Sequence, residues 1–212
     1  KNGRSDAVAW SYGKLAYNHS YMRTSLYAGY AKMDKIYKEI NLKGEIMKNL
    51  LIIDGNSIVN RAFYGIKVLT SSGGVPTNAL TGFVNILLKN MEKVSPDILV
   101  VAFDRKAPTF RHAMYSGYKA NRKGMPDELA VQLPFCKKIA EAMGFTVLEE
   151  DGIEADDMLG TVSELSKQSG AQCYILTGDR DSLQLISDTT KVLLAGNKDT
   201  EIYDREKFKE RY

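Results

Sequence analysis

Acidic residues at the ends of predicted strands are the strongest chemical signal in this 212-residue sequence. Three apolar runs each end in an aspartate, and further acids occupy the first turn of a predicted helix. Active sites of open α/β sheets lie beyond the carboxyl ends of the strands, so we expect these acids to converge in one crevice. The set comprises Asp54, Asp104, Glu154, Asp156, Asp157, Asp179 and Asp181.

The charge of this acidic set predicts bound divalent cations. Seven carboxylates at one sheet edge would repel and would raise one another's pKa unless cations neutralised them. All-oxygen ligands with no nearby cysteine or histidine favour Mg²⁺ or Mn²⁺ over zinc. Two such ions about 4 Å apart can activate water and stabilise the leaving oxygen of a phosphodiester. The acids therefore predict hydrolysis of a nucleic-acid backbone.

Each acid, taken singly, also has an ordinary structural role open to it. Helix caps and first-turn positions both favour acidic residues. Together these roles would leave seven clustered charges unexplained, which favours the metal site. The structural alternatives are a helix cap for Asp54 and Asp181, an ion pair with Arg105 or Lys106 for Asp104, and a first-turn helix position for Asp156 and Asp157.

A basic segment, residues 105–123, follows Asp104 directly and contains no acid. Its cations alternate with aromatic residues, a pattern that suits a nucleic-acid strand with contacts to phosphates and to unstacked bases. A solvated helix face is the alternative interpretation. Lys119 and Arg122 are three residues apart, hence neighbours on a helix, and could grip the scissile phosphate together.

The elements that must position these residues begin near Met47. Strands are predicted over 50–53, 98–103, 146–148 and 173–176, and helices over 80–94, 127–143 and 155–169, followed by a β-rich tail. This alternation predicts an α/β fold with a largely parallel sheet covered by helices. Residues 1–46 form a separate, tyrosine-rich and helical segment, whose aromatic residues we expect to pack rather than bind nucleic acid. They are Trp10, Tyr12, Tyr17, Tyr21, Tyr27, Tyr30 and Tyr37.

Composition excludes several other classes of protein. With 44% hydrophobic and 26% charged residues the chain can bury a core, and its net charge of +3 is too small to indicate a nucleic-acid binder alone. Cys136 and Cys173 lie far apart, which argues against a zinc site or a disulfide framework. No apolar run approaches the roughly 18 residues of a membrane span. We expect a cytoplasmic protein with no membrane partner.

Several segments, in order, resemble the flap endonuclease or 5′–3′ exonuclease family, especially its version at the N-terminus of bacterial DNA polymerase I. The resemblance extends from about Met47 to Tyr212. It rests on Leu-Ile-Ile-Asp54-Gly-Asn-Ser with Arg61-Ala-Phe, Ala-Phe-Asp104, Thr-Phe-Arg111, Tyr118-Lys-Ala-Asn-Arg122, Gly-Ile-Glu154-Ala-Asp-Asp157 and Thr-Gly-Asp179-Arg-Asp181.

The resemblance implies a PIN-like, Rossmann-like fold with a helical arch, and removal of 5′ flaps and RNA primers from DNA. It implies that the seven acids are ligands of two metal ions, Mg²⁺ or Mn²⁺. Lys119 and Arg122 would be catalytic and stabilise the transition state. The DNA-binding residues it implies are Arg61, Arg111, Tyr118, Lys119 and Arg122.

The family normally continues after Tyr212 with another aspartate pair and a helix-hairpin-helix unit. We therefore expect residues 47–212 to be an incomplete nuclease module and the full-length protein to carry a polymerase domain. Two alternatives stay open: a PIN-type ribonuclease, which would not need the basic segment, and a catalytically silent DNA-binding fragment. A phosphoacceptor receiver domain is disfavoured because it has no use for Glu-Ala-Asp-Asp together with Gly-Asp-Arg-Asp.

Overall fold

The computed structural model describes residues 23–41, 48–115, 117–119, 124–196 and 199–212. Its helices are α1 Arg23–Asn41, α2 Gly55–Gly65, α3 Asn78–Val94, α4 Phe110–Met114, α5 Asp127–Ala142, α6 Ala155–Ser169 and α7 Arg205–Arg211, with a 3₁₀ helix at Arg180–Leu185. Its strands are β1 Asn49–Asp54, β2 Ile98–Ala102, β3 Thr146–Leu148, β4 Gln172–Thr177, β5 Thr190–Ala195 and β6 Thr200–Tyr203.

The strands form one six-stranded sheet in the order β3-β2-β1-β4-β5-β6. Neighbouring strands are parallel except for the antiparallel pair β5 and β6. The strand order reverses between β1 and β4, and doubly wound sheets open their ligand crevice at such a point. Asp54 ends β1 and Thr177 ends β4, so both residues lie at this crevice.

Two hydrophobic layers cover the sheet, one on each face. In β1, Leu50 and Ile52 belong to one layer, Leu51 and Ile53 belong to the other, and all four are fully buried. Helices α1 and α6 contribute to the first layer, and α2, α3 and α5 contribute to the second. Because both faces are covered, the central strands are continuous apolar runs rather than alternating ones.

Polar side chains fix the ends of the helices that border the crevice. Helix α2 begins directly after Asp54, whose carboxylate accepts a hydrogen bond from the Ser57 backbone N–H at 3.0 Å. At the start of α6, the Asp157 carboxylate accepts from the Glu154 backbone N–H at 3.2 Å. This helix ends at Gly170, which has a left-handed φ of 71° that favours glycine.

The predicted α/β architecture is confirmed, and the three predicted helices and four predicted strands lie within two residues of their expected bounds. The predicted β-rich tail is the β5–β6 pair. Helix α7, which follows it, was not predicted, because its seven residues bury no side chain and show no apolar periodicity.

Helix α1 packs on the sheet through Met33, Ile36 and Ile40, all buried. The Lys32 side chain donates to the Val147 carbonyl at 2.7 Å, which ties the helix to β3. Tyr37 is partly buried against the same layer, as expected for packing. The chain division at residue 47 stays a prediction. Outside the described residues or side chains lie Trp10, Tyr12, Tyr17, Tyr21, Tyr27 and Tyr30.

None of the described helices combines the length and the apolar character needed to cross a membrane.

Candidate active site

Four aspartates meet at the carboxyl edge of the sheet. Asp54 ends β1, Asp104 follows β2, Asp179 follows β4, and Asp156 lies in the first turn of α6. Burial raises the pKa of Asp54 to about 6, and the charges of Asp156 and Asp104 act in the same direction. Hydrogen bonds from the Ser57 N–H and the Thr177 hydroxyl offset part of this effect. Asp54 is therefore a buried carboxylate whose negative charge lacks full compensation.

Asp156 experiences the charges of the other acids directly. Its side chain is exposed, yet the surrounding protein removes part of its hydration, and this raises its pKa. The carboxylates of Asp104 and Asp179 raise that pKa further, while Lys119 opposes them. These electrostatic effects show that four acids from different elements share one site, as the strand-end pattern predicted.

Asp104 is held by the elements on either side of it. Its Oδ1 accepts from the Ala155 backbone N–H at 2.7 Å, at the start of α6. The Asn56 side chain donates to the other carboxylate oxygen at 3.4 Å and accepts from the Asp104 backbone N–H at 3.3 Å. Asp104 thus connects β2 to the N-termini of α2 and α6.

The basic segment pairs with two further acids at the start of α6. They are Glu154, which directly precedes the helix, and Asp157 in its first turn. Arg111 forms a bidentate salt bridge with Asp157, with Nη1 to Oδ2 at 2.8 Å and Nη2 to Oδ1 at 2.7 Å. Glu154 accepts from the Tyr118 hydroxyl at 3.0 Å and from Lys119 Nζ at 2.9 Å. Arg111 Nη1 lies 3.4 Å from the same carboxylate. The chain's own cations therefore neutralise these two acids.

The pKa values of this second group reflect the pairing. Burial alone would raise the pKa of Glu154, but hydrogen bonds from Lys119 and Tyr118 and the charge of Arg111 lower it below its ordinary value. Burial likewise opposes ionisation of Asp157, and hydrogen bonds from Arg111 outweigh it and lower the pKa. In turn, the hydrogen bonds to Asp157 raise the pKa of Arg111. Glu154 and Asp157 thus differ electrostatically from Asp54 and Asp156, whose pKa values are raised.

The remaining candidate residues have separate positions. Asp181 is exposed in the 3₁₀ helix, where its backbone N–H donates to Asp179 Oδ1 at 3.0 Å. Arg61 lines a cleft of about 670 Å³ next to Ser57 and Gly178, and its Nε donates to a backbone carbonyl at 3.1 Å. Arg122 lies outside the described residues.

Lys119 has an unusual backbone conformation with a φ of 56°. Such a left-handed conformation is uncommon for residues other than glycine and persists only where surrounding contacts hold it. The contact of Nζ with Glu154 is one of these contacts. Lys119 is thus held at the acidic edge, by which we mean the carboxyl edge of the sheet with its four aspartates and Glu154.

Divalent metal suits the four-aspartate group on chemical grounds. Its donors are all carboxylate oxygens, and the charges of Asp54 and Asp156 are only partly offset, as their raised pKa values show. Within the described parts of the chain, no group of three or more acids is already closed around a position for one ion.

Sequence reasoning missed the neutral polar residues that hold the acids. Thr177, Ser57 and Asn56 contact Asp54 or Asp104, and Thr109 places its hydroxyl 3.4 Å from Glu154. One signal was available, since a threonine ends the otherwise apolar run of β4 directly before Gly-Asp.

The chain thus combines an open α/β sheet, acids at the edge where the strand order reverses, and cations held against some of these acids. Comparison with known proteins identifies its family. A family model described as the 5′–3′ exonuclease, N-terminal resolvase-like domain, matches residues 49–212, and the chain belongs to this family.

Similar proteins include complete polymerases and a shorter nuclease. DNA polymerase I of Caldicellulosiruptor bescii is 43% identical over 167 residues, which is 77% of this chain and 20% of that protein. A 5′–3′ exonuclease of Aquifex aeolicus is 40% identical over 161 residues, which is 76% of this chain and 55% of that protein. The chain thus spans a fifth to about half the length of these relatives.

A solved structure supports the fold. The flap endonuclease of bacteriophage T5, in a complex with DNA and metal ions, matches with a TM-score of 0.56 and 19% identity. The match covers 77% of this chain and 60% of that one. The PIN-like fold implied by the sequence motifs is confirmed.

Proposed function

We propose that this chain carries the active centre of a 5′ nuclease that hydrolyses phosphodiester bonds of DNA with two Mg²⁺ or Mn²⁺ ions. The observation that carries the proposal is the group of four aspartates at the edge where the strand order reverses. Asp54 and Asp156 in this group have raised pKa values, and Lys119 of the basic segment is held at the same edge by Glu154. A single strand of DNA bound there would have the aspartate group on one side and the cations of the basic segment on the other.

The acids are proposed to hold the metal ions. Asp54, Asp104, Asp156 and Asp179 would supply carboxylate oxygens at the sheet edge, and Glu154, Asp157 and Asp181 would be further ligands, as the family resemblance implies. When bound, the two ions supply an activated water and stabilise the leaving oxygen. The protein's part is to fix the carboxylates in place, through the hydrogen bonds to Asp54 and Asp104.

The basic segment is proposed to hold the DNA strand. Lys119 reaches Glu154 at 2.9 Å, so a phosphate at this edge would lie within reach of its ammonium group. There Lys119, together with Arg122, would stabilise the negative charge that develops during cleavage. Arg111 and Tyr118 would position the strand, and Arg61 would contact DNA from the cleft beside α2.

The relatives suggest the wider context. One similar protein is a DNA polymerase I, another a 5′–3′ exonuclease, and a similar structure is a flap endonuclease bound to DNA and metal ions. We therefore extend the proposal to DNA with a 5′ flap or 5′ end and to RNA primer–DNA junctions. Residues 47–212 would form the nuclease unit of a cytoplasmic replication and repair protein with a polymerase domain.

The proposal is tested by cleavage of a labelled 5′-flap DNA in Mn²⁺ by the chain and two matched aspartate variants. Asp179→Asn removes a charge at the acidic edge, and we expect loss of most cutting. Asp188→Asn removes an exposed charge paired with Arg205 and should cut like the parent chain. Undiminished cutting by Asp179→Asn would contradict the proposal. Faster cutting of single-stranded RNA than of flap DNA would favour the PIN-type ribonuclease.

A further inference from the structure

One buried hydroxyl links the two strands that flank the switch point. Thr177 is fully buried at the end of β4. Its Oγ1 donates to Asp54 Oδ2 at 3.0 Å and accepts from the Asp179 backbone N–H at 3.0 Å. A single side chain therefore contacts two of the four aspartates, one on each side of the crevice.

Ser57 makes the matching connection from the other strand. Its backbone N–H donates to Asp54 Oδ1, and its hydroxyl accepts from the Gly178 backbone N–H at 2.9 Å. A Cβ at position 178 would lie 3.0 Å from this hydroxyl, so a larger residue there would press on Ser57. Three of these hydrogen bonds and the peptide bond between Thr177 and Gly178 form a closed ring through Asp54, Ser57, Gly178 and Thr177. The fourth hydrogen bond attaches Asp179 to this ring.

Strands β1 and β4 are already joined by backbone hydrogen bonds as far as Ile53 and Leu176. The ring therefore does more than join these two strands. It gives each Asp54 oxygen one donor and so leaves each oxygen a lone pair for another partner. It also fixes the backbone from which Asp179 projects. Buried polar networks whose hydrogen bonds are satisfied make the local structure more rigid.

We infer that Thr177 is a positioning residue for the acidic edge: its hydroxyl holds Asp54 and Asp179 in the relative orientation that a divalent cation requires. This role rests on the proposed metal-dependent function. Groups that orient metal ligands typically contribute about 10- to 100-fold to metal affinity. The threonine hydroxyl, rather than its methyl group, should carry the effect.

The test is isothermal titration of the chain with MnCl₂. Thr177→Val keeps the shape of the side chain and removes the hydroxyl, and we expect its Mn²⁺ affinity to fall about tenfold or more. Thr177→Ser restores the hydroxyl and should bind within about threefold of the parent chain. If the valine variant does not fold, Thr177→Ala carries the same expectation.

Thr190→Val is the matched control. Thr190 is also a fully buried threonine in this sheet, and its hydroxyl pairs with Ser163 at 2.8 Å, away from the acids. This variant should lose thermal stability but keep parental Mn²⁺ affinity. An equal loss of affinity in Thr190→Val would show general destabilisation and overturn the positioning role.

The titration separates the two levels of the hypothesis. Parental binding by a folded Thr177→Val or Thr177→Ala, or a tenfold loss in Thr177→Ser, overturns the positioning role and leaves the proposed function standing. No Mn²⁺ binding by the parent chain overturns the proposed metal site together with the positioning role.

Discussion

At the residue scale, the Asp54 carboxylate has two opposite effects on the stability of the fold. It caps α2 through the Ser57 N–H, which is the structural role that the sequence left open. It is also buried among other acids, which raises its pKa to about 6. A raised carboxyl pKa means that the ionised form destabilises the fold, and that this cost is fully present above about pH 6.

Neutralising Asp54 should therefore stabilise the metal-free protein. An amide at this position can accept from Ser57 and donate to Thr177, so Asp54→Asn removes charge while keeping both contacts. At pH 8 in EDTA we expect urea denaturation to show a gain of about 1–3 kcal/mol. Saturating Mn²⁺ should stabilise the parent chain and leave the variant nearly unchanged.

Asp97→Asn is the control for this measurement. Asp97 accepts from the Asn49 backbone N–H at the opposite end of β1, where it is exposed. Its substitution should change stability by less than about 0.5 kcal/mol. A destabilised Asp54→Asn would show that the carboxylate is compensated and that no cation is needed there.

Lys119 provides a second prediction at this scale. Because its ammonium group lies at the acidic edge, Lys119→Ala should lower the rate of flap cleavage about 10²- to 10³-fold while weakening duplex binding only about threefold. Single-turnover cleavage and fluorescence anisotropy give the two quantities. Lys106→Ala, an exposed cation of the same segment, should change only affinity. Equal losses of rate and affinity in Lys119→Ala would contradict a catalytic role.

At the scale of elements, α4 and the turn at 117–119 are fixed to the sheet by polar contacts. Helix α4 has only five residues, too few to be stable by itself. Arg111 anchors it to α6 through Asp157, and Lys119 anchors the turn through Glu154. The basic segment is therefore held by Glu154 and Asp157, the same acids that we propose as further metal ligands.

Breaking one anchor should loosen the segment without unfolding the sheet. In Asp157→Asn only one side-chain oxygen remains, so Arg111 loses one of its two hydrogen bonds and the charge of its partner. A hydrogen bond to a charged group of this kind contributes about 1.5–3 kcal/mol to stability. We expect trypsin to cut at Arg105, Lys106 or Arg111 about tenfold faster or more, since such cleavage follows the population of the open state. Asp188→Asn should leave these cuts unchanged. Parental cleavage rates in Asp157→Asn would show that the anchor is not Asp157.

At the scale of the whole molecule, strand order decides which distant residues meet. The order β3-β2-β1-β4 brings Asp54, Asp104 and Asp179 to one edge although 125 residues separate the first from the last. The sequence predicted that these acids meet because each acid follows an apolar strand. If the sheet is parallel, the carboxyl ends of these strands lie at one edge. The helices that cover the sheet were located separately, from the alternation of strand and helix patterns along the chain.

Other features of the site were beyond reach of the sequence. The division of the acids into a paired and an incompletely compensated group depends on where Arg111 and Lys119 fold back, and spacing alone does not fix this. Thr177 and Asn56 act through hydrogen bonds between strands and helices that are distant in sequence. The packing of α1 against the sheet is likewise a tertiary contact without a local signal.

Anomalous diffraction from crystals of the chain soaked in Mn²⁺ would locate the proposed metal ions directly. We expect Mn²⁺ peaks at the carboxyl edge of the sheet, among Asp54, Asp104, Asp156 and Asp179 and within direct or water-mediated coordination distance of their oxygens. Peaks only elsewhere on the molecule, or none at this edge at saturating Mn²⁺, would contradict the proposed metal site.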